Sequence, residues 1–228
     1  MHDTLDEGMQ LLSSYVDVTD LDAGEYKEIK MYGLMKFDVK QYEIKEVGNL
    51  SVMKVNMGFM QMLSYVMTPY EKDMPMLSMD FMYILSNRKA YAEFYDLTAD
   101  TASPEYIAII DKISDFRERY SDLEDIPTEH AWYDDLLSIA LHKSGNKQND
   151  TKISEMFSDA IETYMKSASG LELLSDESEK ETTYIIQEYS DNLIKNGGVS
   201  TDVFKKASGE EKTKDFFDKV FFGTELYN

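Results

Sequence analysis

The sequence predicts an α+β fold in which an antiparallel meander comes first and helices that cover it come after. Three observations carry this. Between Glu25 and Leu97, apolar residues recur at every second position in short runs parted by polar turns. From residue 103 onward the recurrence changes to every third and fourth position. Strands and helices are also segregated along the chain rather than alternating, so parallel βαβ units are not expected. No long Pro/Gly/Ser linker and no internal repeat divides the 228 residues, which are read as one domain spanning 1–228.

Leu5, Met9, Leu12 and Tyr15 share the face of a first helix, and an acidic turn follows from Asp17 to Gly24. That turn is a poor calcium loop, because Gly24 falls one place too early. Phe37 and Val39 alternate with charged residues, and Tyr42 and Ile44 resume out of phase, which predicts a bulge. Met53, Val55 and Met57 form the next strand after Gly48-Asn49, and Met60 to Met67 the one after, closed by Thr68-Pro69. Met76 to Leu85 is almost wholly apolar, so both of its faces are expected to be covered. Ser86-Asn87-Arg88-Lys89 turns the chain into a strand over Tyr91 to Leu97.

Ser103-Pro104-Glu105 is a helix start, with Ser at the cap and Pro at the first helical position. Tyr106, Ile109, Ile110, Ile113, Phe116 and Tyr120 are its buried stripe. Within this helical half, a second helix is predicted over Trp132 to Leu141. Ile153 to Met165 and Ile185 to Leu193 give two more, the latter ended by Asn196-Gly197-Gly198. Val203, Phe204 and Ala207 mark a fifth, Gly209 interrupts, and Phe216 to Phe221 close the chain.

Composition excludes several chemistries. With no cysteine there is no disulfide, thiolate nucleophile, iron–sulfur ligand or Cys-type zinc site. The histidines are only His2, His130 and His142, without a His-x-x-x-His pair, so no metal is expected. No G-x-G-x-x-G, Walker A or G-x-S-x-G sequence occurs. A net charge of −21 without a basic cluster argues against nucleic acid. No apolar run is long enough to span a bilayer, and the acidic N-terminus is unlike a signal peptide, so a cytoplasmic protein without membrane contact is expected. Fifteen methionines point either to a Met-tolerant core or to an adaptable pocket.

What remains is Asp80. On a strand it shares one face with Ser78, Met82 and Ile84, while Met79, Phe81 and Tyr83 take the other. Desolvation raises the pKa of a carboxyl on an apolar face, and an acid still protonated near neutral pH can give a proton to a bound substrate. The alternative is a structural aspartate satisfied by a cation or backbone donors.

The stretch from Thr68 to Phe81 resembles the ferredoxin-dependent bilin reductases. In that family a Tyr- or Pro-containing loop leads into Leu-Pro-apolar-apolar-small-x-Asp and a hairpin ending in Asp-Leu, here Asp96-Leu97. Trp132 to Ser138 is similar to the family's Trp-x-x-x-x-apolar-Ser segment, and Gly209 to Phe222 to its closing pattern. The matches lie in order over about residues 35 to 222. The resemblance implies a three-layer α/β/α sandwich with a central antiparallel β-sheet flanked by helices. It also implies a linear tetrapyrrole such as biliverdin held between the sheet and the C-terminal helices, and no bound metal or flavin. Single electrons would come from reduced ferredoxin or flavodoxin, and Asp80 would be the proton donor.

The resemblance further places Met76, Ser78, Met82, Leu63, Ser138, His142 and Lys143 around the pigment. Leu63 stands where some members carry a histidine, and His142 or Lys143 stands in for a missing propionate-binding arginine. A second acid of the family falls at Gly198 or beside it, with Asn196 and Asp191 the nearby substitutes. An acidic donor protein would need a basic docking patch, for which Lys36, Lys40, Lys45, Lys54 and Arg88-Lys89 are the candidates. Alternatives from other classes remain at this stage: a bilin or haem carrier without redox chemistry, a reductase of chlorophyll catabolites, or an interaction protein with no ligand.

Overall fold

Successive strand residues point to opposite faces, so a sheet with two apolar faces needs a cover on each. A computed structural model, which describes residues 1–31, 35–127 and 130–228 apart from the side chains of His2 and Val199, has this architecture. Helix α1 (His2–Tyr15) precedes β1 (Val18–Leu21) and β2 (Glu28–Met31). A run of hairpins follows: β3 (Met35–Ile44), β4 (Gly48–Asn56), β5 (Met60–Pro69), β6 (Met76–Ile84) and β7 (Asn87–Tyr95). Then come α2 (Pro104–Glu118), the short β8 (Glu124–Asp125), β9 (Leu137–Asn146), α3 (Asp150–Ala168), α4 (Asp176–Asn196), α5 (Val199–Ser208) and α6 (Glu210–Phe216). The strands form one sheet in the order β1-β3-β4-β5-β6-β7-β9-β8, with β2 on the other half of β3. Every pairing is antiparallel.

Helices α1, α2 and α3 seal one face. Leu63, Tyr65, Leu77, Met79, Phe81 and Phe94 pack there against Phe157, Ile161 and Tyr164. Phe157 meets Tyr65 and Phe81 edge-on at ring-centroid distances of 5.2 and 5.5 Å, a geometry the ring quadrupole favours. Helix α1 comes so close that a Cβ on Gly8 would lie 2.3 Å from the Phe157 ring.

Helices α4, α5 and α6 cover part of the other face, packing Ile186, Tyr189, Phe204, Phe216 and Phe217 against Phe37, Val39, Met53, Val66 and Met76. A π-helical turn over Phe217–Phe221 frees backbone carbonyls, and the sheet satisfies them. Gln41 Nε2 donates to Lys219 O at 2.9 Å, Asn49 Nδ2 to Val220 O at 3.2 Å and Tyr70 Oη to Phe222 O at 3.0 Å.

Three local expectations are corrected. Strand β3 has no bulge: its register with β4 runs unbroken from Asp38↔Lys54 to Ile44↔Gly48. The break in alternation arises because buried Gln41 takes an inward slot and is satisfied by Asn49 at 2.8 Å. Trp132 to Leu141 is not a helix but a 3-10 turn over Asp134–Leu136 leading into β9. Leu137, Ile139 and Leu141 alternate as well as they step helically, and the open edge of β7 decides the matter by supplying a strand partner. Strand β6, finally, is sealed on one face only. Leu77, Met79 and Phe81 are buried, whereas Ser78, Asp80, Met82 and Ile84 are half-exposed.

Candidate active site

Register brings the polar residues of the half-open face into rows. One row crosses five strands: Met53, Ser64, Asp80, Tyr91 and His142. A second row, toward the helical cover, holds Val66, Ser78, Glu93 and Ala140. A third, on the other side, holds Met62, Met82, Lys89 and Ser144. Burial by the C-terminal helices ends at Val66 and Met76, and beyond them the floor carries Met60, Met62, Met82 and Ile84, all half-exposed. The wall of this cleft is aromatic. Tyr95 lies 5.5 Å from Tyr189 and 6.3 Å from Tyr133, and Trp132 lies 5.9 Å from Tyr189. Trp132 Nε1 donates to Gly197 O at 2.8 Å, which fixes the end of α4 over the wall.

Burial pushes the Asp80 carboxyl up to about 6, and the charge of Glu93, diagonal to it on β7, adds to the shift. Ser64 donates to the carboxylate from the neighbouring strand and opposes it. Asp80 is half-exposed, and with a pKa of about 6 it is close to half protonated at pH 6. The Tyr91 phenol is raised by burial and then by Asp80 and Glu93, and Tyr133 by burial and then Glu93, so both hold their protons at neutral pH. Glu93 is the hub of the second row: its Oε1 lies 2.7 Å from His142 Nε2, and its Oε2 accepts from Tyr95 Oη at 2.7 Å.

The residues singled out from sequence are distributed unevenly. Ser78, Asp80 and Met82 share the cleft face, and His142 lies in Asp80's own row. Met76 is on that face but buried at its closed end. Leu63 belongs to the opposite face, packed in the sealed core; the β5 residue beside Asp80 is Ser64. Lys143 also points to the sealed side, because it follows His142 on a strand rather than a helix. Its Nζ bonds Leu123 O at 3.2 Å and Asp125 at 2.6 Å. Ser138 Oγ donates to Asp96, which also accepts from Tyr106 Oη at 2.5 Å, so it ties β9 to α2.

Asp191 is exposed on α4, away from the Tyr189–Leu193 stripe, and pairs with Lys214. Asn196 is exposed at the last turn of α4. At Gly198, where or beside which the resemblance implies a second acid, an added Cβ would approach Tyr133 and Leu193. Of the basic patch, Lys36 pairs with Glu28 and Asp38, Lys45 with Asp17, and buried Arg88 with Asp150, while Lys89 is exposed on the cleft face. Among the described residues, no His/Asp/Glu group is arranged to hold a metal ion, and no helix is long and apolar enough to cross a membrane.

Sequence reasoning missed Ser64, Tyr91 and Glu93. Tyr91, Glu93 and Tyr95 do alternate, and that signal placed beside Asp80 would have found the pair across β6 and β7.

No family model matches the sequence, and no curated protein does. In three dimensions the chain is similar to phytochromobilin synthase from tomato, solved in complex with biliverdin. The TM-score is 0.79 at 13% identity, over 100% of this chain and 84% of that one. A likeness at this identity shows a common fold.

Proposed function

We propose that this chain is a bilin reductase: it binds a linear tetrapyrrole, biliverdin or a close relative, in the half-open cleft and reduces it with single electrons. The donor is a reduced ferredoxin or flavodoxin, and Asp80 is the proton donor. The single observation that carries this is the Asp80 carboxyl, raised to about 6, on the half-covered face of a fold shared with the tomato protein solved with biliverdin. Protonation before or with electron arrival matters because it spares the pigment a bare negative charge. The Met60, Met62 and Met82 floor and the Trp132, Tyr133 and Tyr189 wall offer flat apolar contact to a conjugated ligand. Ser78 flanks Asp80 on the floor, and Lys89 is a cation on the same face for ligand carboxylates.

Biliverdin added to the purified chain should shift its absorption bands on binding, and reduced ferredoxin should then bleach or move them. Asp80→Asn should bind the pigment and turn it over about 10²–10⁴-fold more slowly. Full activity in that variant would remove Asp80 from the mechanism. A carrier without redox chemistry is the second reading, favoured by the exposure of Asp191 and Asn196. It predicts tight binding and no reduction with a competent donor.

A further inference from the structure

The proposed reaction consumes two protons for every two electrons, and Asp80 supplies one. The substitutes considered for the second acid do not meet the cleft: Asp191 is on the outer side of α4, paired with Lys214, and Asn196 is exposed at its end. The groups that face the cleft with a transferable proton are Asp80 from β6, Tyr91 and Tyr95 from β7, His142 from β9, Tyr133 from the turn before β9 and Tyr189 from α4. The charged groups among them are completed by Glu93 and Lys89 on β7. Tyr95 and Tyr189 are buried in the aromatic wall. His142, by contrast, is half-exposed on the cleft face and is held by Glu93 at 2.7 Å.

Resting on the reductase reading above, we propose that His142, oriented by Glu93, is a second proton donor that serves the end of the ligand remote from Asp80. Three features support it. His142 lies in the same row as Asp80, two strands away, which is about 10 Å across the sheet. That is far enough to reach a different part of a flat conjugated ligand and near enough for both to touch it. Glu93 fixes the ring through Nε2 at 2.7 Å and is itself held by Tyr95 at 2.7 Å. The Tyr91 ring packs on the imidazole at 5.2 Å, so the ring plane is set from a second side. A histidine whose one nitrogen is already given to a carboxylate is a poor clamp for a ligand carboxylate, and the same bond makes it a well-placed proton carrier.

The balance is simple. One C=C π bond of the ligand breaks and two C–H bonds form. Two electrons arrive singly from the low-potential donor. The protons come from the Asp80 carboxyl and the His142 imidazolium, which become carboxylate and neutral imidazole and are recharged from water. Asp80 and His142 are catalytic residues in this scheme, and Glu93 is a positioning residue.

The test uses the full chain, biliverdin as probe and a photoreduced one-electron donor under anaerobic conditions. The wild type is expected to complete the two-electron reduction. His142→Gln, in which the amide can still bond Glu93, is expected to bind biliverdin with unchanged bands and to complete reduction about 100-fold or more slowly. It should accumulate a one-electron pigment radical, visible by electron paramagnetic resonance. Glu93→Gln leaves the imidazole present but loosely held, and should accumulate the same radical with a loss of about 10-fold. It carries the test if His142→Gln does not fold, as thermal melting will show. Wild-type rates without radical in the folded variants overturn the proposal while leaving the reductase reading intact. Failure of the wild type to bind or reduce biliverdin overturns both, and is seen before any variant is compared.

Discussion

The two faces of β6 are built from alternate residues of one strand and differ in almost everything else. Leu77, Met79 and Phe81 are buried against α3, where Phe157 wedges between Tyr65 and Phe81. The buried hydroxyls of Tyr65 and Tyr164 on that side have no hydrogen-bond partner among the described residues. Ser78, Asp80 and Met82 look the other way into a cleft, where Ser64, Tyr91, Glu93, Tyr95 and His142 are joined by hydrogen bonds and charge. The difference separates two tasks. Apolar area on the sealed face holds the fold, at roughly 25 cal/mol per Å² buried, and tolerates idle polar atoms. Around Asp80 the open face keeps its polar groups connected, whereas Ser51 and Thr68 on the covered part of the same face are buried without a hydrogen-bond partner among the described residues.

Several variants break or sharpen this contrast. Phe157→Ala should cost about 3–5 kcal/mol in denaturant unfolding, since it removes the ring that fills the sealed core. A loss below about 1 kcal/mol would mean that this face is not the structural one. Asp80→Asn should do the reverse of a core substitution and stabilise the protein. The acid's pKa rises from 3.8 unfolded to about 6 folded, so ionising it costs the folded state more than the unfolded chain. The gain from Asn, about 1–3 kcal/mol, is fully present above the folded pKa of about 6, fades as pH falls from 6 toward 3.8, and vanishes only below that, where both states are protonated. Paired urea titrations at pH 8 and pH 4 read this directly, and equal stability changes at both values would contradict the burial of the charge. Tyr164→Phe removes an unpartnered buried hydroxyl and should be neutral or stabilising by up to about 1 kcal/mol. A clear destabilisation would reveal a bonded partner for Tyr164. Met82→Ala, on the open floor, should shift stability by no more than about 0.5 kcal/mol, and should weaken biliverdin binding if the floor is the pigment's contact surface.

Much of this was legible in the residues. Period-two alternation put Asp80 with Ser78 and Met82 and opposite Phe81, and Ser103-Pro104 and Asn196-Gly197 marked helix ends where they are found. What failed did so for one reason: a short apolar run fits both periods. Reading Trp132 to Leu141 as a helix made His142 and Lys143 neighbours on a helical end. As a strand they face opposite sides, and only His142 joins the cleft. Leu63 failed by one residue, which on a strand is the whole thickness of the sheet. Glu93 was invisible because its meaning lies in β9, and nothing local announces a partner that distant.

That distance has a consequence for the chain as it is made. Strands β3 to β7 close through consecutive hairpins, but β9 pairs with β7 only after α2 has intervened, and the two halves of the Glu93–His142 contact lie 49 residues apart. At roughly 5–20 residues per second, a ribosome needs about 2–10 s to deliver His142 after Glu93. Throughout that interval β7 is an open edge with Ala90, Ala92 and Phe94 in its run, the kind of edge on which nascent chains pair wrongly. Arg88 and Lys89 at the start of the same strand are well placed to discourage this, giving the two cations a part to play before any ligand arrives.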